Sequence, residues 1–286
     1  MSISSEFKAS LKTVEAEEIL DLYIFRPVSY ILVKLVYNTS ITPNILSVIA
    51  LIFGIAAGAL YATGNISYAY IGAVCYFMCN TFDCADGQLA RLKGNGTKLG
   101  RAVDGFVDYI ASIVIYVALM FWLGFTHGNW GYAVIISLLA GISTALQSFY
   151  FDYYRNLYLH HVYGHVNDIS SELKEFEEEK ENIKKRNGSF IELMLINNYL
   201  KYTSLQAKLM KTKFNIIASP EEFRRYNKSI LRLWSWNGST THIFLLIVCT
   251  FLNRVEWYLL ITITWGNLML IVTYFIQKKA LLRFKK

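Results

Sequence analysis

The chain predicts an all-α integral membrane protein. It reads as six transmembrane helices, an N-terminal interfacial helix, and a cytoplasmic helical insert between spans four and five. Three observations carry that prediction. The 286 residues are 54% hydrophobic with a mean hydropathy of +0.33, too apolar for an ordinary soluble domain. Uncharged stretches recur at about the length needed to cross a bilayer. Of the 28 Lys and Arg residues all but Arg254 fall in segments that six crossings place on one side.

The elements follow in order. Residues 1–16 are polar and expected to be mobile, without the basic start and apolar core of a cleaved leader. From Glu17 to Tyr37 an apolar run is broken by Arg26, Pro27 and Lys34. Such a run lies along the interface rather than across it, its charged heads at headgroup level. Thr42 before Pro43 reads as a capped helix start for a first span, Ile45–Thr63. The second span runs from Ile66 to Arg91, followed by a basic Gly-containing loop at 92–99. The third covers Gly100–Phe125 and the fourth Trp130–Phe151, where Gly141, Ser143 and Thr144 permit close packing.

Residues 152–233 then interrupt the apolar pattern. Glu172–Arg186 reads as a solvated charged helix, Asn187–Gly188 as a turn, and Phe190–Ile217 as a helix against the protein or the lipid. Ser219-Pro220-Glu221-Glu222 is a capping box opening another helix. The fifth span is Trp234–Leu252, the sixth Trp257–Ile276, and the tail is basic. The expected division is therefore 1–41, 42–151 (spans one to four), 152–233 (insert) and 234–286 (spans five and six). Cys75, Cys79, Cys84 and Cys249 have neither zinc-site nor disulfide spacing and read as small packing residues. The net charge of +7 is distributed as a membrane-surface feature, which excludes nucleic acid as the partner and leaves the lipid bilayer.

One stretch reads as chemistry: DCADGQLARLKGNGTKLGRAVDGFVD, residues 83–108. Asp83 and Asp86 share a helix face near the end of the second span, and Asp104 and Asp108 share one near the start of the third. If the two helices are antiparallel neighbours the four acids converge, at a cost that only positive charge offsets. Carboxylate-only ligands favour hard cations such as Mg²⁺ or Mn²⁺ over zinc. Gly87, Ala90 and Gly100 leave the helix surfaces bare, and Arg91, Lys93, Lys98 and Arg101 suit a phosphate-bearing substrate.

The pattern D-x2-D-G-x2-A-R-x8-G-x3-D-x3-D resembles the signature of the CDP-alcohol phosphotransferase family at every fixed position. At about one residue in sixteen per site, a chance match is well below one in a million. The resemblance implies an integral-membrane enzyme of phospholipid synthesis. An alcohol hydroxyl attacks the non-cytidine phosphorus of a CDP-linked donor, and CMP leaves. It implies two metal ions held by Asp83, Asp86, Asp104 and Asp108, with Asp108 also the general base, and a common homodimeric state. Gly87, Ala90, Arg91 and Gly100 correspond to motif positions around the CDP group, and Asn44 at the mouth of the first span is a further candidate contact. Arg101 and Arg155 are candidates for an acceptor phosphate, or else anchors at the cytoplasmic surface. His160, His161 and His165 read as a solvated or interfacial cluster.

The signature leaves the donor open. Transfer of a phosphatidyl group from CDP-diacylglycerol is the first reading. Transfer of phosphocholine, phosphoethanolamine or a phospho-polyol to a lipid or polyol is the second. A cation or proton carrier using the acids is the non-enzyme alternative, although a carrier site normally sits nearer the midplane. Both termini and the active site are expected on the cytoplasmic side.

Overall fold

In the computed structural model, residues 3–164, 169–211 and 218–284 are described. Their regular elements are all helices, with no strand among the described residues. Helix α1 is Ile3–Ser10, α2 Arg26–Val36, α3 Pro43–Tyr61, α4 Ile66–Lys93, α5 Lys98–His127 and α6 Trp130–Tyr163. The remainder is α7 Ile169–Lys185, α8 Phe190–Lys211, α9 Pro220–Trp234, α10 Ser239–Phe251, α11 Val255–Ile261 and α12 Asn267–Leu282. His165 and the expected helix end at 212–217 lie outside the described residues.

Four helical stretches are long and apolar enough to cross a membrane: α3, α5, α6, and α11–α12 taken as one run from Val255 to Leu282. The other two expected spans differ for local reasons. Helix α4 is 28 residues long, but its last turns carry Asp83, Asp86, Arg91 and Lys93. Helix α10 has 13 residues, about 20 Å, because a 3₁₀ turn at Ser235–Asn237 and Gly238 take up the start of the expected fifth span. The fourth span is longer than expected, continuing past Phe151 to Tyr163. Thr42 stands at the start of α3 without a side-chain capping bond, so Pro43 alone sets that start.

The bundle is sorted by side-chain size. Ala57, Ala69, Ala73, Ala111, Ala118, Ala133 and Ala140 are buried where helices meet. Ile52, Ile71, Val117, Leu138, Ile142 and Phe275 face outward, as lipid contact requires. A Cβ on Gly58 would collide with a Val114 methyl, so α3 and α5 touch almost backbone to backbone. Where α5 and α6 meet the α11–α12 run the contacts are polar instead. Tyr116 and Tyr258 share a hydrogen bond of 2.6 Å, and Gln147 donates to Thr262 O at 3.1 Å where a π-helical turn, Thr262–Gly266, frees that carbonyl.

The N-terminal segment corrects the expectation of a mobile tail. After α1 the chain becomes a buried strap across one end of the bundle: Leu11, Glu15, Ala16, Glu17, Glu18 and Asp21 are all buried. Glu15 accepts from Tyr158 at 2.7 Å and pairs with Arg224 and Lys228 at 2.5 and 2.7 Å. Burial alone would raise the Glu15 pKa; the Arg224, Lys228, Tyr158 and Tyr163 hydrogen bonds outweigh it and hold it below the usual carboxylate range. Arg232 donates to Glu17 O and Val14 O at 3.0 and 2.7 Å. Glu18 accepts from Thr240 N at 3.1 Å, capping α10 from a distant part of the chain.

The insert also packs back on the bundle. Phe176 and Ile183 of α7 and Leu195 and Ile196 of α8 bury against Ala102 at the start of α5. Asn187 takes the left-handed conformation (φ 53°) in the turn between α7 and α8, and Ser219 Oγ accepts from Glu222 N at 3.2 Å at the start of α9.

Candidate active site at the α4–α5 hairpin

Helix α4 ends where Gly94 adopts φ +62°, a conformation costly for any residue with a Cβ. Thr97 then accepts from Gly100 N at 2.9 Å and starts α5. The connection is thus shorter than the expected 92–99 loop, and it folds the two acidic turns against each other. One carboxylate oxygen from each of Asp83, Asp86 and Asp104 lies within 4.8 Å of the other two. Asp108 follows one turn along α5, its carboxyl facing that of Asp83. Asp86 is buried, Asp83 and Asp104 are half-buried, and Asp108 is exposed.

Carboxylates this close repel by about 3 kcal/mol per charged pair at an effective dielectric of about 20. The donor set is all oxygen and three acids meet at one point, which fits a hard divalent cation. Asp83 Oδ1 is buried without a hydrogen-bond partner, so one donor atom is left for such an ion to satisfy. Sequence reasoning missed one contributor: the Ser47 hydroxyl of α3 donates to Asp86 Oδ2. Ser47 lies three residues after Asn44 on the same helix face, and that spacing was the available signal.

The candidate nucleotide residues line the same hairpin. A Cβ on Gly87 would lie 3.3 Å from an Arg91 guanidinium nitrogen, so the bare turn gives that side chain room to lie along α4. A Cβ on Gly100 would lie 3.2 Å from Asn44 Oδ1, so these two come together from α5 and α3. Ala90 faces the turn, 3.9 Å from where a Cβ on Gly96 would stand. Arg91 Nε donates to Ser10 O of the strap at 2.5 Å, while its Nη2 is buried and unpartnered.

The other basic residues are held elsewhere. Lys93 donates to Thr39 O and Ile41 O at 3.1 and 3.0 Å, and Lys98 to Glu175 O at 3.3 Å. Neither is directed at a substrate, contrary to expectation, because each caps a neighbouring loop or helix. Arg101 is turned to the insert, 3.2 Å from Glu172 and over the Phe176 ring at 5.2 Å. Arg155 pairs with Asp152 at 2.8 Å and lies over Phe151 at 5.1 Å, with its Nε buried and unpartnered. His160 and His161 are neighbours near the end of α6, the latter 4.8 Å from the Phe223 ring. Arg26, read from sequence only as an interfacial charge, pairs with Glu17 at 3.0 Å and donates to Cys84 O at 3.4 Å behind the acids.

With this geometry in hand, comparison with known proteins is decisive for the segment that carries it. Residues 40–165 match the model of the CDP-alcohol phosphatidyltransferase family. This segment is similar to that family. The matched CDP-alcohol phosphatidyltransferase segment holds α3 to α6 and all four aspartates. A phosphatidylinositol phosphate synthase of Corynebacterium glutamicum is 30% identical over 128 residues, 44% of this chain and 55% of that protein. One of Mycobacteroides abscessus is 28% identical over 95 residues, 33% of this chain and 41% of the relative. A ceramide phosphoethanolamine synthase of Drosophila melanogaster is 26% identical over 123 residues, 40% of this chain and 31% of that protein. The chain thus spans about half the length, or less, of these curated relatives.

Proposed function

We propose that this protein is a membrane-embedded CDP-alcohol phosphotransferase of phospholipid synthesis. It transfers a phosphatidyl group from a CDP-linked donor, CDP-diacylglycerol in the first instance, to an alcohol hydroxyl. The observation that carries this reading is the convergence of Asp83, Asp86 and Asp104, with Asp108 beside them, inside the family-matched segment. Asp83, Asp86, Asp104 and Asp108 would hold Mg²⁺ or Mn²⁺, two ions in the expected arrangement, whose chemistry is to neutralise the pyrophosphate and the charge on departing CMP. Gly87, Ala90, Arg91, Gly100 and Asn44 bind and orient the CDP group. Asp108, exposed beside the three other acids, takes the proton from the acceptor hydroxyl as its oxygen bonds to phosphorus. The bond from that phosphorus to the CMP oxygen breaks, and CMP leaves with the electron pair. Arg155 is retained as a candidate for an acceptor phosphate, and Arg101 is assigned to holding the insert.

Phosphatidylinositol phosphate synthases among the relatives favour the phosphatidyl reading. The ceramide phosphoethanolamine synthase supports the second, in which a phospho-head group passes to a lipid acceptor. Six crossings with termini and site on the cytoplasmic side follow from the placement of Lys and Arg, and a homodimer is the expected assembly. The test is CMP release by purified protein in lipid–detergent micelles with Mg²⁺ or Mn²⁺. CDP-diacylglycerol with candidate alcohols is compared with soluble CDP-alcohols and lipid acceptors, each against Asp108→Asn. Metal-dependent CMP from one pairing, lost in the variant, supports the reading and names the substrates. No CMP from any pairing, with CDP binding absent from folded protein, overturns it in favour of the carrier.

A further inference from the structure

Helix α8 crosses the spans rather than running beside them. Leu195 and Ile196 bury against Ala102 of α5, with Leu99, Val103 and Phe106 packed around them. Further along α8, Tyr202 donates to Asp152 of α6 at 3.3 Å, its ring 6.1 Å from that of Phe149. Helices α5 and α6 are antiparallel, and the hydrogen bond between Tyr116 and Thr144 sets their register. Phe106 precedes Tyr116 and Asp152 follows Thr144 by about 15 and about 12 Å along the two axes. The two contacts are therefore at nearly one height, and α8 lies across the pair.

That height is a membrane boundary. Both α5 and α6 are long and apolar enough to cross a bilayer. A crossing takes about 20 residues, which counted back from His127 end at Asp108 and counted on from Trp130 end at Phe149. The stripe of α5 that α8 covers, Ala102 to Phe106, continues beyond it as Tyr109 and Ile113, both exposed on the same helix face. The edge of α8 thus borders surface that the span turns to lipid.

The outward face of α8 suits that position. Ile191, Asn198 and Leu205 recur every seven residues, Lys201 and Lys208 form a second row beside them, and Phe190 opens the helix. All six are exposed, Phe190 by 80% and Leu205 by 52%. No acid stands among them. The one acid of α8, Glu192, is turned back to the preceding turn, 2.8 Å from Arg186 and accepting from Ser189 N at 3.0 Å. The exposed carboxylates of this hairpin are on α7, at Glu177, Glu178 and Glu181. Apolar side chains flanked by lysines fit a headgroup layer, where the apolar groups enter the acyl boundary and the ammonium groups stay with the phosphates.

The geometry points to the outer face of α8 as a lipid-binding surface that seats the α7–α8 hairpin on anionic phospholipid headgroups beside the spans. Continuity with the exposed stripe of α5 makes lipid the occupant, and the acid-free pair of lysines selects anionic lipid. The surface is independent of the reaction proposed above, since it requires only that α5 and α6 cross the bilayer.

The experiment uses the full chain in a cysteine-free background with one fluorescent label, at Ile191→Cys, Leu205→Cys or, as the control on α7, Glu178→Cys. Each protein is placed in lipid nanodiscs of phosphatidylcholine alone or with about a third phosphatidylglycerol. Quenching by a spin label near the lipid headgroup and by acrylamide in water is read separately. The two α8 labels are expected to be quenched by lipid and to be several-fold less open to acrylamide than the α7 label. Phosphatidylglycerol is expected to strengthen their lipid quenching. Lys201→Gln with Lys208→Gln is expected to remove that gain while leaving the melting temperature in detergent unchanged. Labels on α8 that behave like the α7 control, open to acrylamide and untouched by the lipid quencher, overturn the proposal. Labels closed to both quenchers also overturn it and give the face to a second copy of the chain. Lipid quenching that is equal in the two nanodiscs overturns the selection of anionic lipid.

Discussion

Asp108 and Ser47 show how the same site assigns different work to neighbouring polar groups. Asp108 is exposed one turn beyond the point where Asp83, Asp86 and Asp104 crowd together, so removing its charge should leave those three carboxylates in place and remove the proton acceptor. Asp108→Asn is expected to lower kcat by about 10²–10⁴ with little change in CDP binding, read by CMP release and by nucleotide titration. Ser47 acts through another residue, fixing Asp86 by donating to it. Ser47→Ala is therefore expected to weaken metal activation, raising the Mg²⁺ concentration for half-maximal activity about tenfold. A metal titration that superimposes on wild type would remove Ser47 from the site.

The strap is the element on which several helices depend, and its acids do their work through buried pairing. Glu15 ties the strap to α6 and α9, and its carboxyl is 10% exposed, so screening by solvent is modest. A carboxylate with a depressed pKa contributes stability above its unfolded pKa, near 4.5, and loses it as pH falls through the lower folded value. Glu15→Gln should therefore melt several degrees below wild type at pH 7, and the two should converge only as pH drops below the usual glutamate range. Gly238 tests the same element by shape. A Cβ there would collide with the Glu18 carboxyl, while its backbone (φ −79°) is one that alanine tolerates. Gly238→Ala is expected to cost about 1–3 kcal/mol by overpacking. Adding Glu18→Ala should make Gly238→Ala nearly silent; a full additive penalty in the double variant would show that the strain lies elsewhere.

At the scale of the whole molecule, the charge distribution and the outward Ile, Val, Leu and Phe side chains set the chain in the bilayer. The six-span arrangement can be checked with single cysteines introduced into a cysteine-free background at Lys180 of α7 and at Arg254. Membrane-impermeant maleimide on sealed cells should label the Arg254 site and spare the Lys180 site until the membrane is opened. Labelling of both from one side would overturn that topology.

The sequence by itself determined the all-helical class and the acidic hairpin, because apolar length and i, i+3 spacing are local quantities. The eight motif positions lie within one hairpin, so local geometry alone brings Asp83, Asp86 and Asp104 together. The positions of single helix ends were less legible: α6 runs to Tyr163 because Tyr154 and Tyr158 pack on Trp234 and Phe223, contacts formed with residues far along the chain. Only the tertiary structure decided the fate of the charges. Residues 1–16 look mobile because their acids and lysines are individually soluble, yet Arg224, Lys228, Arg232 and Arg26 supply partners that make burial favourable. Arg101 and Lys98 read as phosphate ligands until α7 offers them Glu172 and the Glu175 carbonyl. A charge shows its sign in the sequence, but its partner is set by where distant helices come to lie, and the partner decides whether it holds the fold or meets the substrate.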